Sequence, residues 1–529
     1  MRAPSPLSLL TALLGLSPLL SRLAAQNLSD AQINAVKDNL WLAAQQTWEL
    51  GTESEALVES DASAYAVFFN ASIPPPLGNS SSNPYNYTAL QPVLQIAHNV
   101  AANRSNSTGP QPVMYVQGGA AGDPASLGVA ILLANWTGAP EPQLNNPLNA
   151  SNPRGVNLGR GVTYARAASE QLEYLLTVVP RTDDGAISHR IEQVQLWADS
   201  VYMVPPFLAY YGVVTGNQSL VQEAYTQIKL YRSHLYDQTE GLWQHILMGD
   251  TNVDTGFWST GNAWAAAGMT RVLATIMRSQ YASSMATEIS DLSSWIMEVH
   301  EGMYKYLDSE TSLFHNYANE TQSTDTGHSF LDASSTTLLA STVYRLALLQ
   351  GVHTHVPDAE KSRKALSASA VGGSSSVPSY GVWGTGDGVG PATSFTATRP
   401  SSSASASSSY SASTSSSYSA SSAFASNSSI SASSSATSSY SVPTPSAGVG
   451  AGLTHFSPAM WLTPVVDPYN WAAQGGSSPE GQAFVVEMYA AWRDWVQAGA
   501  PGVNAALRLG PAGIWGGAAG LVGVLLLAW

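Results

Sequence analysis

The stretch from His189 to Gly212, HRIEQVQLWADSVYMVPPFLAYYG, sets one carboxylate, Asp199, between Trp197 and Tyr202 at the head of an almost wholly apolar run. Burying an unpaired charge in such a run is costly. The acid must therefore be well hydrogen-bonded or hold its proton. A carboxyl pressed against aromatic rings has its charged form disfavoured, and an acid of that kind can donate a proton near neutral pH. The alternative is a core carboxylate that caps a helix or ties a loop. The run is too apolar to be one face of a surface helix, so Gln195 to Val214 reads as a helix buried on both sides.

Outward from that stretch the chain continues in helical patterns. Apolar residues recur at helical spacing over Gln32–Trp48, with Asp30 as the expected N-cap, and then over Ala56–Phe69, Leu90–Ala102, Ala125–Trp136 and Tyr164–Val178. After Gln195–Val214 they resume at Ser219–Leu235, Ala263–Ile276, Ala286–Tyr306, Leu331–Leu349, Asp358–Ala368 and Gly481–Val496. No convincing alternating strand separates them. Turn-rich connections such as TGAPEP (Thr137–Pro142) and TGNQ (Thr215–Gln218) join the patterns. An all-α toroid of helical hairpins, with apolar inner helices and amphipathic outer ones, accounts for this order.

Composition narrows the function. The chain has 529 residues, 15 Trp and 23 Tyr, and rings of that kind suit sugar faces as well as cores. Its 21 basic and 36 acidic residues give a formal charge of -15, which argues against nucleic acid or an anionic membrane surface as partner. There is no cysteine, which excludes disulfides, thiolate metal sites and a cysteine nucleophile. The histidines are scattered without a short-spaced ligand set, so no metal site and no cofactor is expected. No glycine-rich phosphate loop stands out.

Residues 1–25 have a basic Arg2, an apolar centre and small residues before Gln26, and read as a secretory signal. Sequons at Asn27, Asn70, Asn86, Asn106, Asn135, Asn149, Asn217 and Asn319 suit a glycosylated exterior protein. Residues 372–447 collapse to Ser, Ala, Thr and Tyr, with too few large apolar side chains to repay the entropy of ordering. Because a helical pattern follows them, they read as a disordered, O-glycosylated insertion, dividing the barrel into 26–371 and 448–498. Residues 499–529 end in an apolar, uncharged tail behind small residues, as in a GPI attachment signal, with a tail-anchoring helix as the alternative. A secreted protein held at the cell surface is the expectation, with the membrane reached only through that tail.

Four motifs in order carry a resemblance to a known family. They are PRTDDGAISH (Pro180–His189), LYDQTEGLWQH (Leu235–His245), FWSTGNAW (Phe257–Trp264) and SPEGQAF (Ser478–Phe484), around the Gln195, Trp197 and Asp199 already quoted. Read together they resemble the unsaturated glucuronyl and rhamnogalacturonyl hydrolases, glycoside hydrolase families 88 and 105, from about Ala125 to Trp495 with the Ser-rich tract set aside. The resemblance implies an (α/α)6 barrel. It also implies a substrate oligosaccharide bearing a 4,5-unsaturated uronic acid at its non-reducing end. In that chemistry an acid protonates C4 of the enol ether, water enters at C5, and the hemiketal opens to release the neighbouring sugar.

By resemblance Asp199 is the acid and base. Asp123, in GDPASLG, falls where a second carboxylate is expected, and reads equally as a helix N-cap. His189 and His245 match substrate-contacting histidines. Trp258 and Trp264, with Trp197 as a further candidate, match aromatic walls, and Asn262 a polar contact between them. Core packing is the competing reading for the tryptophans. Asp332, Ser334 and Ser335 either line the mouth or cap a helix. Where relatives commonly carry Arg before the GlyAsn pair this chain has Thr260, so any cation for the uronate must come from elsewhere, with Arg190 and Arg181 as candidates. The competing class of function is a cell-surface glycan-binding or structural glycoprotein whose barrel does no chemistry.

Overall fold

The computed structural model describes residues 27–76, 87–116, 119–142, 161–320, 329–369 and 448–502. The expected signal (1–25), the whole of the Ser-rich insertion (372–447), the apolar tail and the sequons Asn86 and Asn149 lie outside these residues. Among the described residues no helix is long and apolar enough to cross a membrane.

The helices pair in chain order. They are α1 (Asp30–Ala43), α2 (Thr47–Ser60), α3 (Tyr87–Asn103), α4 (Gly128–Thr137), α5 (Tyr164–Thr177), α6 (Ser200–Met203) and α7 (Pro205–Val214). Then come α8 (Gln218–Leu235), α9 (Ser259–Arg278), α10 (Ala286–Tyr304), α11 (Ala333–Gln350), α12 (Val356–Leu366) and α13 (Pro479–Gln497). The pair α6 and α7 is one helical path bent at Val204, because Pro205 and Pro206 cannot continue the backbone ladder. Counted that way, six outer helices (α1, α3, α5, α8, α10, α12) alternate with six inner ones (α2, α4, α6–α7, α9, α11, α13). Each inner helix packs on the next, and α13 closes the ring against α2. This is the six-hairpin toroid that the helical patterns require.

Burial separates the two rings. Every residue of α9 from Ser259 to Ile276 is buried, as is α11 from Ala333 to Ala347, whereas α8 buries only one face. Close approach needs small residues: a Cβ on Gly268 of α9 would lie 2.1 Å from the Val201 carbonyl oxygen, so this glycine lets α9 lie directly on α6.

Several expected boundaries are corrected. The pattern read as Gln32–Trp48 is two helices. Ser29, not Asp30, caps α1, with a capping box to Gln32, and the chain turns at Ala44–Gln46 before Trp48 enters α2. No glycine or proline marks that turn; it is held instead by Glu49, whose Oε2 accepts from Gln45 N at 2.7 Å and Gln46 N at 2.9 Å. The pattern read as Ala56–Phe69 stops at Ser60, because α2 starts nine residues earlier than its apolar spacing shows. Buried Glu49, Glu53, Glu55 and Glu59 hide the inner helix behind what looks like a solvated face. The helices expected from Gln195 and Leu331 begin only at Ser200 and Ala333. Their first residues instead form ribbons, β1 (Leu196–Trp197) with β4 (Ile246–Leu247) and β5 (Phe314–His315) with β6 (Leu331–Asp332). Two more ribbons pair β2 (Tyr236–Asp237) with β3 (Leu242–Trp243) and β7 (Val465–Asp467) with β8 (Asn470–Gly475).

The connection from α12 to α13 holds the Ser-rich tract, and its two flanks meet: Thr454 N donates to Ala368 O at 2.9 Å and Ser369 bridges Leu453.

Charge inside the barrel is matched by charge. Arg271 of α9 reaches Glu55 Oε2 (2.9 Å) and Glu59 Oε1 (2.6 Å) on α2 and Glu487 Oε1 (2.8 Å) on α13. Arg345 of α11 reaches Glu59 Oε2 (2.8 Å) and Asp494 Oδ2 (2.6 Å), and Tyr202 donates to Glu487 Oε1 at 2.8 Å. Two small cavities border Arg271. Removing one partner of such a network strands the others. Arg271→Met is therefore expected to destabilise the chain by about 3–5 kcal/mol in chemical unfolding, since three buried carboxyl groups lose their shared hydrogen-bonding cation. Burial, only partly offset by Arg271, pushes Glu487 up to about 8. Its protonated form is favoured by folding, so this contribution is complete below the ordinary glutamate range and is lost as pH rises through about 8. The melting temperature should fall from pH 6 to pH 9, with a flatter slope in Glu487→Gln.

Candidate active site

One end of the toroid collects the N-termini of the inner helices. Asp199 is the N-cap residue of α6, Trp258 of α9, Asp332 of α11 and Ser478 of α13, while Asp123 opens a 3-10 turn, Asp123–Leu127, that leads into α4. The outer-to-inner connections cross this face.

Two pairings assemble the centre. Antiparallel β1–β4 sets Trp197 opposite Ile246, and Ala198 N donates to His245 O at 2.9 Å. This brings His245 Nε2 to 3.6 Å from Asp199 Oδ2, too long for a hydrogen bond. On the other side Ala120 bridges Arg190 and Ala121 N donates to His189 O at 2.6 Å, setting His189 Nε2 3.7 Å from Asp123 Oδ1. His189 Nδ1 meets Ser200 Oγ at 2.8 Å. Gly122 leaves room for this: a Cβ there would lie 3.1 Å from Ser200 Oγ and 3.2 Å from His189 Nδ1.

Asp199 is 7% exposed, and neither carboxylate oxygen has a hydrogen-bond partner among the described residues. It makes no side-chain cap bond to its own helix, so the capping alternative fails. Asp123 likewise makes no cap bond of its own; the Ser126 hydroxyl donates to its main-chain oxygen at 2.7 Å. Burial, and then the charge of Asp199, push the Asp123 carboxyl up to about 7, while Arg190 opposes them. The two carboxyls therefore interact strongly enough for one to retain a proton near neutrality.

The histidines differ sharply. Burial pulls His189 down to about 3, Asp199 opposing it and Arg190 and His245 adding to it, so its ring is neutral. Burial also works against a charge on His245, but its contacts with Asp199 and Asp254 outweigh that and raise its pKa. Asp254 Oδ2 takes His245 Nδ1 at 2.8 Å and the Tyr317 hydroxyl at 2.6 Å, and Oδ1 takes Gly256 N at 2.9 Å. Burial alone would raise Asp254; these partners, His245 first, bring it down to about 2.

Aromatic rings enclose the polar groups. Trp197 stacks on His189 (4.6 Å between centroids, planes at 20°) and stands edge-on to His245 (5.7 Å). Trp258 lies 4.4 Å from the His245 ring. Trp471, from β8, sits 5.3 Å from His245 and 5.4 Å from Trp197. Asn316 ties the last two indoles together, accepting from Trp258 Nε1 at 3.0 Å and donating to Trp471 O at 2.7 Å.

The structure thus brings together Asp199, Asp123, His189, His245, Trp197 and Trp258. It sets two expected residues apart, and their assignment is corrected. Asn262 spends its amide on the main chain, accepting from Trp243 N (2.8 Å) and donating to Trp243 O (2.9 Å) and Trp258 O (3.0 Å). Trp264 packs against Tyr202 (4.4 Å) and Phe484 (4.7 Å) in the core, away from the face. Asp332 is a cap: it takes Ser335 N (2.8 Å), Ser334 N (3.2 Å), Val466 N (3.1 Å) and the Thr260 hydroxyl (2.9 Å). Thr260 is fully buried against that cap. Arg181 pairs with Glu223 at 3.1 Å, whereas Arg190, held to Glu192 Oε1 at 2.8 Å, has its guanidinium 5.9 Å from the Trp197 centroid and acts on both Asp123 and His189.

Sequence reasoning missed Asp254, Tyr317, Trp471 and Glu480. Glu480 is buried behind the centre, its pKa raised well above the usual range by burial first and then by Glu49, Asp199 and Asp332. It was visible inside SPEGQAF, where a carboxylate in the first turn of an inner helix is the available signal. Asp254 and Tyr317 lie in connections with no pattern of their own.

A closed ring of helical hairpins carries buried paired carboxyls, imidazoles and indoles at its inner-helix N-termini, which defines the protein as a six-hairpin toroid. More narrowly, residues 158–376 match the model of Glycosyl Hydrolase Family 88, at the centre of the stretch over which the motifs show their resemblance. A curated relative, the unsaturated rhamnogalacturonyl hydrolase YesR of Bacillus subtilis, is 24% identical over 160 residues, 27% of this chain and 46% of its own. The chain thus spans less than half the length of that relative. Two solved structures described as possible members of the GH105 family share the fold. That from Salmonella enterica serovar Paratyphi A has a TM-score of 0.50 at 16% identity, and that from Klebsiella pneumoniae 0.51 at 13%, each covering 88% of this chain and 93% of its own.

Asp199→Asn removes the charge that helps hold the proton on Asp123. The Asp123 titration midpoint, followed by carboxyl carbon NMR, should move down from about 7 while staying above the ordinary aspartate value, since burial persists.

Proposed function

We propose that this chain is a glycoside hydrolase acting on oligosaccharides that carry a 4,5-unsaturated uronic acid at the non-reducing end, of the kind left by lyases on pectin, rhamnogalacturonan or a similar acidic polymer. The observation that carries the reading is the Asp199 carboxyl, buried in an aromatic niche without hydrogen-bond partners and flanked by a second carboxyl that holds its proton near pH 7. The proton that this pair of carboxyls shares passes through Asp199 to C4 of the enol ether; as water adds at C5 the carboxylate takes a proton back, and the hemiketal opens. One group serves as acid and then as base, so no second carboxylate at a fixed spacing across the sugar is required. Trp197, Trp258 and Trp471 supply ring faces, and Arg190 supplies positive charge beside Asp123, which suits an anionic sugar. The family model over 158–376 and the unsaturated rhamnogalacturonyl hydrolase relative support the same chemistry.

The N-terminal apolar segment, the sequons and the apolar tail support a further proposal, that the enzyme works outside the cell and is held at its surface.

Incubating the chain with lyase-generated disaccharides should consume the ultraviolet absorbance of the enol ether, and Asp199→Asn should lower kcat by about 100-fold or more. Binding of the same disaccharides with no loss of absorbance would sink the hydrolase reading and leave a glycan-binding barrel.

A further inference from the structure

The group nearest the acid is a histidine that is itself held from behind. His245 Nδ1 bonds to Asp254 Oδ2 at 2.8 Å, and Nε2 faces Asp199 Oδ2 at 3.6 Å. Since Asp254 is ionised well below neutral pH and can only accept, the Nδ1 atom must carry hydrogen. Any second proton on the ring therefore sits on Nε2 and points at Asp199. Tyr317, reaching in from the connection before α11, donates to the same Asp254 oxygen and Gly256 N to the other, so the carboxylate is pinned from three directions and the imidazole with it. The charged and titratable groups around His245 are Asp199 at the head of α6, Asp254 on its own connection and His189 on the connection before β1, while Trp258 and Trp471 cover the ring.

We propose that Asp254 is a positioning residue for the acid, fixing His245 as a charged ring whose Nε2–H faces Asp199 and balances the carboxylate formed when Asp199 gives up its proton. The proposal rests on the hydrolase reading for its role in turnover, but not for its electrostatics. When the Asp199 proton passes to C4, the negative charge left on its oxygens meets the imidazolium at once. When the attacking water returns a proton to Asp199, the pair goes back to its starting charge. His245 keeps both its protons throughout, so no proton is lost or gained by the relay. The histidine expected to contact sugar is thereby given a different task. Asp254, silent in the sequence, becomes the residue that sets its charge.

The test uses the full chain and two readouts. Asp254→Asn keeps the shape and removes the charge. The His245 ring titration, followed by NMR and assigned against His245→Gln, should shift to lower pH by about one unit or more. With lyase-generated disaccharides, kcat should fall by roughly 10- to 100-fold with KM within about twofold, and the alkaline limb of the kcat profile should move down with the histidine. Tyr317→Phe keeps the histidine contact but removes a competing donor, so the His245 titration should move up; this arm stands even where Asp254→Asn does not fold. An unchanged His245 titration in either folded variant overturns the proposal, as does an unmoved alkaline limb in Asp254→Asn. A wild-type chain that turns over no disaccharide sinks the hydrolase reading alone, since the NMR titration still judges the electrostatic claim.

Discussion

A charge taken out of water must meet a counter-charge, and the barrel is built around that constraint. Arg271 answers Glu55, Glu59 and Glu487, and Arg345 answers Glu59 and Asp494, so four inner helices are tied through two guanidinium groups. A purely apolar interior of this width would pack as well or better. What the network adds is position. Each of these four helices has one rotation and one height that satisfy the charges, and the N-termini above them are placed accordingly.

At the other end of the same helices the matching is left incomplete. Asp199 has buried oxygens with no hydrogen-bond partner, Asp123 keeps a proton near pH 7, and Glu480 keeps one well beyond the ordinary range. Asp254 and His245, by contrast, form a satisfied pair there. An active site that must pass a proton needs groups that are not already spoken for, and burial without partners is how a fold of this kind keeps them so. The contrast between the two ends of the barrel, matched below and deficient above, is the strongest structural argument for chemistry at Asp199.

The fold was legible to the extent that apolar spacing reports it. Twelve helical patterns in pairs were enough to expect a toroid of hairpins, and the pattern failed where polarity and burial part company. The inner helix α2 carries four buried glutamates, so its first half looked like surface and its boundaries were misplaced. The β1–β4 ribbon is two residues long on each side, too short for alternation to show, yet it is what sets His245 beside Asp199. Within FWSTGNAW the motif pointed to three residues alike, but helical geometry turns Trp258 toward the histidine and sends Asn262 and Trp264 inward.

The sequence by itself determined that Asp199 would be buried among aromatic residues, because a carboxylate at the head of an apolar helix has nowhere else to go. It determined the helical class and the pairing order for the same reason, since both follow from local spacing. Only the tertiary structure decided what faces that acid. His245 lies 46 positions further on, Asp254 nine beyond that, and Trp471 on the far side of the Ser-rich tract; each is brought in by ring closure and by short ribbons whose pairing energy comes from contacts distant in the chain. Proton affinity depends on charge and solvent within a few ångströms, and those distances exist only once the ring has closed.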